Sequence, residues 1–262
     1  FQGEKIIDAL KRVDFEDSEV RQLLPGLPYT LPPKPNKPDF FEGSAIGLVT
    51  AACPFAVLGT VQAQALCATA KVVADGAALD AGAADMLAEL AKGKAALAIG
   101  PGLGREEGAW LAIEALVRSD TPKVVDADAL YLLAKYGGGV GANTVLTPHP
   151  GEMARLCGTT VQAVLDAPVE LAQQLAADMN ACVLLKGATT VIAHGEDVAM
   201  NVTGCDGMGT GGCGDVLTGT IAALLAQGMS VWDAARAGAY YHGRVEIAHD
   251  GKLVPEFLLM VL

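Results

Sequence analysis

The chain is 262 residues long, 52% apolar with only 5% aromatic residues, and carries a formal net charge of −12. That length buries a sizeable core in one large domain or two small ones, and an apolar fraction rich in Ala and Gly favours close helix-on-sheet packing over an aromatic-rich β-sandwich. The acidic balance argues against nucleic acid as a main partner, and no run is apolar for long enough to span a membrane.

Phe1-Gln2-Gly3 reads as the remnant of a cleavable tag, and no signal peptide is recognisable. The reading is therefore one domain over 4–262. Apolar spacing predicts a short leading helix within 4–24, and the six prolines between Leu24 and Asp39 predict an extended or looping stretch. Strands are expected at Ile46–Thr50, Ala95–Ile99, Lys123–Asp126, Thr144–Thr147 and Cys182–Leu185, with a hairpin of Thr190–Ala193 and Val198–Val202 across Gly195-Glu196-Asp197. Helices are expected at Glu106–Val117, Ala127–Lys135, Gly151–Leu156, Val161–Met179, Gly214–Gln227 and Val231–Ala248, with Thr160 and Ser230 as N-caps. Buried strands alternating with helices imply an α/β fold with a mostly parallel sheet and helices on both faces. Ligands of such sheets sit beyond the carboxyl ends of the strands, where Gly100, Asp126, Thr147 and Lys186 fall.

The six cysteines show no C-x-x-C pair or metal-type spacing and read as small buried residues in a reducing, cytoplasmic setting. Cys213 lies at a helix start, where a lowered thiol pKa competes with simple packing. Gly100-Pro101-Gly102-Leu103-Gly104 after a strand invites comparison with a dinucleotide-binding turn, but Arg105 stands where that pattern needs glycine. A glycine turn that admits a ligand closely is the better reading. Asp126 and Asp128 could hold a metal or a hydroxyl, and Asp128 could equally cap a helix. In Thr147-Pro148-His149-Pro150-Gly151-Glu152 two prolines fix His149 in a loop. His149 there can hydrogen-bond a substrate and Glu152 can hold the water ligands of Mg²⁺, or the pair is a surface His and a capping Glu. Lys186-Gly187-Ala188-Thr189-Thr190 ends a buried strand with a cation, a glycine and two hydroxyls, which suits nucleotide phosphates and ribose, or equally is a charged strand end before a hairpin.

The densest signal is Gly207-Met208-Gly209-Thr210-Gly211-Gly212-Cys213-Gly214-Asp215, followed by an apolar helix. Backbone N–H groups of such a turn, with the first helical turn, form an anion site. A carboxylate beside a phosphate site makes chemical sense as the base that deprotonates an attacking hydroxyl.

Together these segments resemble the ribokinase-like superfamily, and within it the ADP/ATP-dependent NAD(P)H-hydrate dehydratases. The matching pieces are IGPGLG (99–104), DADAL (126–130), TPHPGE (147–152), LLKGATT (184–190) and GMGTGGCGDVLTG (207–219). The resemblance implies a three-layer ribokinase-like fold. It implies repair of hydrated NADHX or NADPHX through phosphorylation of the C6 hydroxyl from ADP or ATP with Mg²⁺, followed by elimination of phosphate. It implies Asp215 as base, the Gly212 and Gly214 amides as charge stabilisers, and Lys186, Gly187, Ala188, Thr189, Thr190 and Gly214 around the nucleotide. Ala45, Gly104, His149 and Asp215 would meet the substrate, and Glu152 the metal. Relatives of this type commonly form homo-oligomers. A small-alcohol kinase and a non-catalytic nucleotide-binding protein are the competing readings. Two departures stand out: Cys205 replaces a family Asn, and between Pro38 and Gly47 only Gly43-Ser44-Ala45-Ile46 remains of the family's first strand and long helix. Either the segment is deleted or its residues are missing from this sequence, and the second is the better reading because loss of that strand would expose a sheet edge or leave a hole.

Overall fold

In the computed structural model, residues 49–64, 68–204, 206–209 and 211–247 are described. The expected leading helix, the proline-rich stretch, Ala45 and Cys205 lie outside them. The elements are β1 (Val49–Pro54), α1 (Leu58–Gln64), β2 (Ala68–Ala74), α2 (Ala84–Ala91), β3 (Leu97–Ile99), α3 (Glu107–Val117), β4 (Lys123–Val125), α4 (Ala127–Tyr136), β5 (Thr144–Leu146), α5 (Pro150–Leu156), α6 (Val161–Asp166), α7 (Pro168–Met179), β6 (Cys182–Leu185), β7 (Thr190–His194), β8 (Asp197–Asn201), α8 (Cys213–Ala226) and α9 (Val231–Ile247).

A six-stranded sheet runs in the order β3-β4-β5-β6-β7-β8, with β3 to β6 parallel and β7 and β8 an antiparallel hairpin. Gly195 takes the positive φ (60°) that a two-residue hairpin loop needs at its first central position. The central strands β4, β5 and β6 are buried throughout, as expected of strands covered on both faces. Their side chains alternate between two cores. Val125, Leu146, Val183 and Leu185 join the layer of α3, α4, α5 and α7, while Val124, Val145, Cys182 and Leu184 join that of α8 and α9. Each fully buried aliphatic side chain contributes roughly 1.5–3 kcal/mol. The result is the expected three-layer α/β arrangement. No helix among the described residues is long and apolar enough to cross a membrane.

Three elements escaped the sequence reading: α1 and β2, short runs that mix Ala with polar and apolar residues, and α2, which is short but carries a clear amphipathic spacing. The single helix expected over Val161–Met179 is two. Pro168 starts α7, and the residue before a proline is steered away from helical dihedrals, so Ala167 sits at φ −138°, ψ 59°. Thr160 caps α6 through Ala163 N–H, and Ser230 accepts from Asp233 N–H.

β1 and β2 form a separate parallel pair. An apolar cleft of about 540 Å³ lies between β1 and β3, floored by Gly219, Ala222 and Ala223 of α8. The Lys94 ammonium crosses its rim to the Thr50 hydroxyl at 3.1 Å.

Lys123 is fully buried at the start of β4, where its ammonium donates to the carbonyls of Ser119 and Thr121. Burial pushes its pKa down to about 8, with Asp120 opposing. The unfolded chain therefore holds this proton to higher pH than the native one. Stability is expected to rise as pH climbs from about 8 to the ordinary lysine value near 10.4. Lys123→Met should remove that increment in denaturant titrations across this window, and a persistent rise would exclude Lys123 as its source.

Candidate active site

The parallel strands deliver Gly100, Asp126, Thr147 and Lys186 to one edge of the sheet, each directly after its strand. The backbone there is tightly interlocked. Asp126 N–H donates to Ile99 O at 3.0 Å, Thr147 N–H to Val125 O at 3.2 Å, and Lys186 N–H to Pro148 O at 2.8 Å. Gly100, at φ 133°, lies so close to Asp126 that a Cβ would meet the Asp126 carbonyl oxygen at 1.8 Å.

Asp126 is the hub. Its carboxylate is 1% exposed. Oδ1 accepts from Lys186 Nζ at 2.8 Å and Oδ2 from the Thr218 hydroxyl at 2.7 Å. One side chain thus ties β4, β6 and the second turn of α8. It also holds the Lys186 ammonium against α8's first turn, where a Cβ on Gly214 would lie 3.4 Å from Nζ. Ala127 follows at φ 50°, an uncommon value for a side-chain-bearing residue, and turns strand into helix in one step. Asp128 then reaches the other way, accepting from Gly104 N–H at 3.0 Å and Arg105 Nε at 2.7 Å. It is not the cap of α4, whose N-cap is Asp126. The sequence alone leaves both aspartates undecided because their partners lie 23 to 92 residues away.

Gly212, at φ 91°, ψ −20°, is the N-cap of α8 and brings no capping side chain to the helix start. A helix N-terminus of this kind suits an anion. Cys213 is buried, which favours packing over reactivity. Asp215 stands exposed in α8's first turn. Its carboxyl is pushed above the ordinary aspartate value, first by partial loss of water and then by the charge of Asp126, with Lys186 opposing both. A raised carboxylate pKa suits proton abstraction.

His149 and Glu152 cap one another. His149 Nδ1 accepts from Gly151 N–H at 3.0 Å and from Glu152 N–H at 3.4 Å, while Glu152 Oε2 accepts from His149 N–H at 2.8 Å. With Nδ1 accepting, the imidazole proton falls on Nε2, 3.4 Å from Glu152 Oε1. The Glu152 carboxylate is also 4.0 Å from Lys186 Nζ. Among the described residues no group of three or more His, Cys, Asp or Glu side chains could hold a metal alone. The fit is instead to Mg²⁺, which takes one or two carboxylates and completes its shell with water and phosphate oxygens. Glu152, beside Lys186, is such a carboxylate, whereas Asp126 has both oxygens taken by Lys186 and Thr218. Gly187, Ala188 and Thr189 form the exposed β6–β7 loop, and Thr190 opens β7. The structure thus gathers Asp215, Gly212, Gly214 and Lys186 around one point. His149 and Glu152 stand beside Lys186, and Gly104 is tied to the same edge through Asp128.

A family model described as NAD(P)H-hydrate dehydratase matches residues 41–252. A second, NFACT N-terminal and middle domains, matches only residues 2–66, mostly outside the described region. The bifunctional NAD(P)H-hydrate repair enzyme Nnr of Moorella thermoacetica is 45% identical over 75% of this chain, which spans 38% of that protein. The ADP-dependent (S)-NAD(P)H-hydrate dehydratase of Neisseria meningitidis is 41% identical over 55% of this chain and 51% of its own length. A structure of the Bacillus subtilis ADP/ATP-dependent NAD(P)H-hydrate dehydratase, co-crystallised with ATP/Mg²⁺, aligns with a TM-score of 0.66 at 26% identity. That alignment covers 82% of this chain and 86% of that one.

Proposed function

The chain belongs to the NAD(P)H-hydrate dehydratase family, and on that premise we propose that it returns hydrated NADHX or NADPHX to the reduced dinucleotide at the expense of ADP or ATP. The observation that carries this reading is Asp215, raised in pKa, in the first turn of a glycine-capped helix against which the Lys186 ammonium is held. Asp215 takes the proton of the C6 hydroxyl as that oxygen attacks the terminal phosphorus of the nucleotide. The bond to the leaving phosphate breaks with its electron pair, giving AMP from ADP or ADP from ATP. The Gly211–Gly214 amides and the Lys186 ammonium take up charge on the moving phosphoryl group. Loss of the C5 proton then expels inorganic phosphate from C6 and restores the double bond.

Lys186 acts as a point charge rather than a swinging arm because Asp126 pins it. Gly187 through Thr190 border the nucleotide; His149 Nε2–H and the open face of Gly104 border the nicotinamide half. Glu152 would hold Mg²⁺ with water and phosphate oxygens completing its shell, and the ion would neutralise phosphate charge when bound.

Incubation with NADHX, Mg²⁺ and either nucleotide should restore the absorbance of reduced nicotinamide with stoichiometric release of phosphate. A stable phosphoester without recovered absorbance would instead mark a small-alcohol kinase, and nucleotide binding without turnover would mark a regulator.

A further inference from the structure

Beyond the catalytic cluster, two cations meet on one ring. The guanidinium carbons of Arg105 and Arg155 lie 4.9 and 5.1 Å from the centre of the Tyr131 ring. The two charges are therefore no more than about 10 Å apart, near the Debye length at physiological salt. At that separation their repulsion is largely screened, and the chain as a whole is strongly acidic, so two cations on one ring are a local exception to its charge. Arg105 is matched by Asp128 at 2.7 Å, which together with the more distant Glu152 raises its pKa. Arg155 forms no ion pair among the described residues and is exposed on α5, one turn beyond Glu152. Tyr131 is half-buried against the core and gives both planes a fixed platform.

The location is informative. Arg105 follows Gly104 directly, and Arg155 lies on the helix that His149 caps. The pair therefore lies beside Gly104 and on the helix capped by His149, the parts of the site assigned above to the nicotinamide half of the substrate. We infer that Arg105 and Arg155, stacked on Tyr131, form a phosphate subsite for the dinucleotide substrate, receiving the part of the molecule that trails away from the nicotinamide ring. Planar guanidinium forks suit phosphate oxygens, and stacking pre-orients them. The inference rests on the dehydratase reading for the identity of the dinucleotide. The shared chemistry is a phosphate ester, either the pyrophosphate bridge or the 2′-phosphate of NADPHX.

The test is Arg155→Gln and Arg105→Gln, each assayed with NADHX and NADPHX at saturating ADP or ATP, and with the nucleotide varied. Loss should fall on KM for the dinucleotide, about tenfold per residue, with little change in kcat or in KM for the nucleotide. An equal effect on both hydrates assigns the bridge, and an effect confined to NADPHX assigns the 2′-phosphate. Binding of NADPH and NADH, followed by their own fluorescence, provides a readout without turnover. If wild-type protein binds NADPH and the variants lose it while no hydrate is turned over, the subsite stands and the dehydratase reading fails. Unchanged dinucleotide KM and NADPH affinity in both variants, failure of wild-type protein to bind NADPH, or an equal rise in nucleotide KM would overturn the subsite.

Discussion

Asp215→Asn is expected to lower kcat by about 10²- to 10⁴-fold, the usual contribution of a positioned general base, while leaving the fold intact. Asn keeps the size and the helix position but cannot accept the proton. The same substitution should hold or raise the melting temperature. The carboxyl is raised in the native state by lost water and by Asp126, so its ionised form is disfavoured there relative to the unfolded chain. That cost is present at neutral pH and disappears as pH falls below the unfolded aspartate value near 3.9. A calorimetric scan of both proteins at pH 7 and pH 4 reads this directly. The acid limb of the wild-type rate profile should likewise lie above that of an unperturbed aspartate. Wild-type turnover in Asp215→Asn would remove this residue as the base.

The second large effect is expected from Gly100→Ala, which touches no substrate. The added methyl would fall 1.8 Å from the Asp126 carbonyl oxygen, a backbone atom that no rotamer change can clear, and φ 133° is itself hostile to a side chain. Overpacking costs about 1–3 kcal/mol and the dihedral on the order of 1–3 more. The melting point should fall by on the order of 10 °C. The only relief is to push β4's end away, which moves Asp126 and with it Lys186 and Thr218, so kcat should fall as well. Gly102→Ala is the control. Its φ is also positive (66°), but nothing lies within 4 Å of where its methyl would sit, so only the dihedral cost remains and activity should survive. A Gly100→Ala protein with wild-type stability and rate would refute the interlock.

The parallel strands β3 to β6 were legible because each is a short apolar run followed by a residue with chemical meaning: Gly100, Asp126, Thr147, Lys186. The glycine turn before α8 was legible from its density of glycine beside one acid and an apolar helix. What stayed hidden was partnership. His149 and Glu152 could be read as substrate ligand or surface residue, metal ligand or cap, and the structure shows them capping each other at the mouth of the site. A histidine N-cap has no strong sequence signal beside the usual Ser, Thr, Asp and Asn. Asp126 was readable as acidic and well placed, but its hold on Lys186 and Thr218 depends on contacts 60 and 92 residues distant. The α6–α7 break was readable after all, since Pro168 announces it. Apolar periodicity across the break outweighed that single residue.

The cleft beside β3 divides the molecule's cohesion. Among the described residues, β1 and β2 share a backbone ladder only with each other. Lys94, in the loop that leads into β3, reaches across to Thr50 of β1. Opening this pair breaks no rung between β3 and β8, whereas opening β4 or β5 breaks rungs on both sides. The protein thus has a readily detached flank and a resistant centre, and its phosphate-handling edge belongs to the centre.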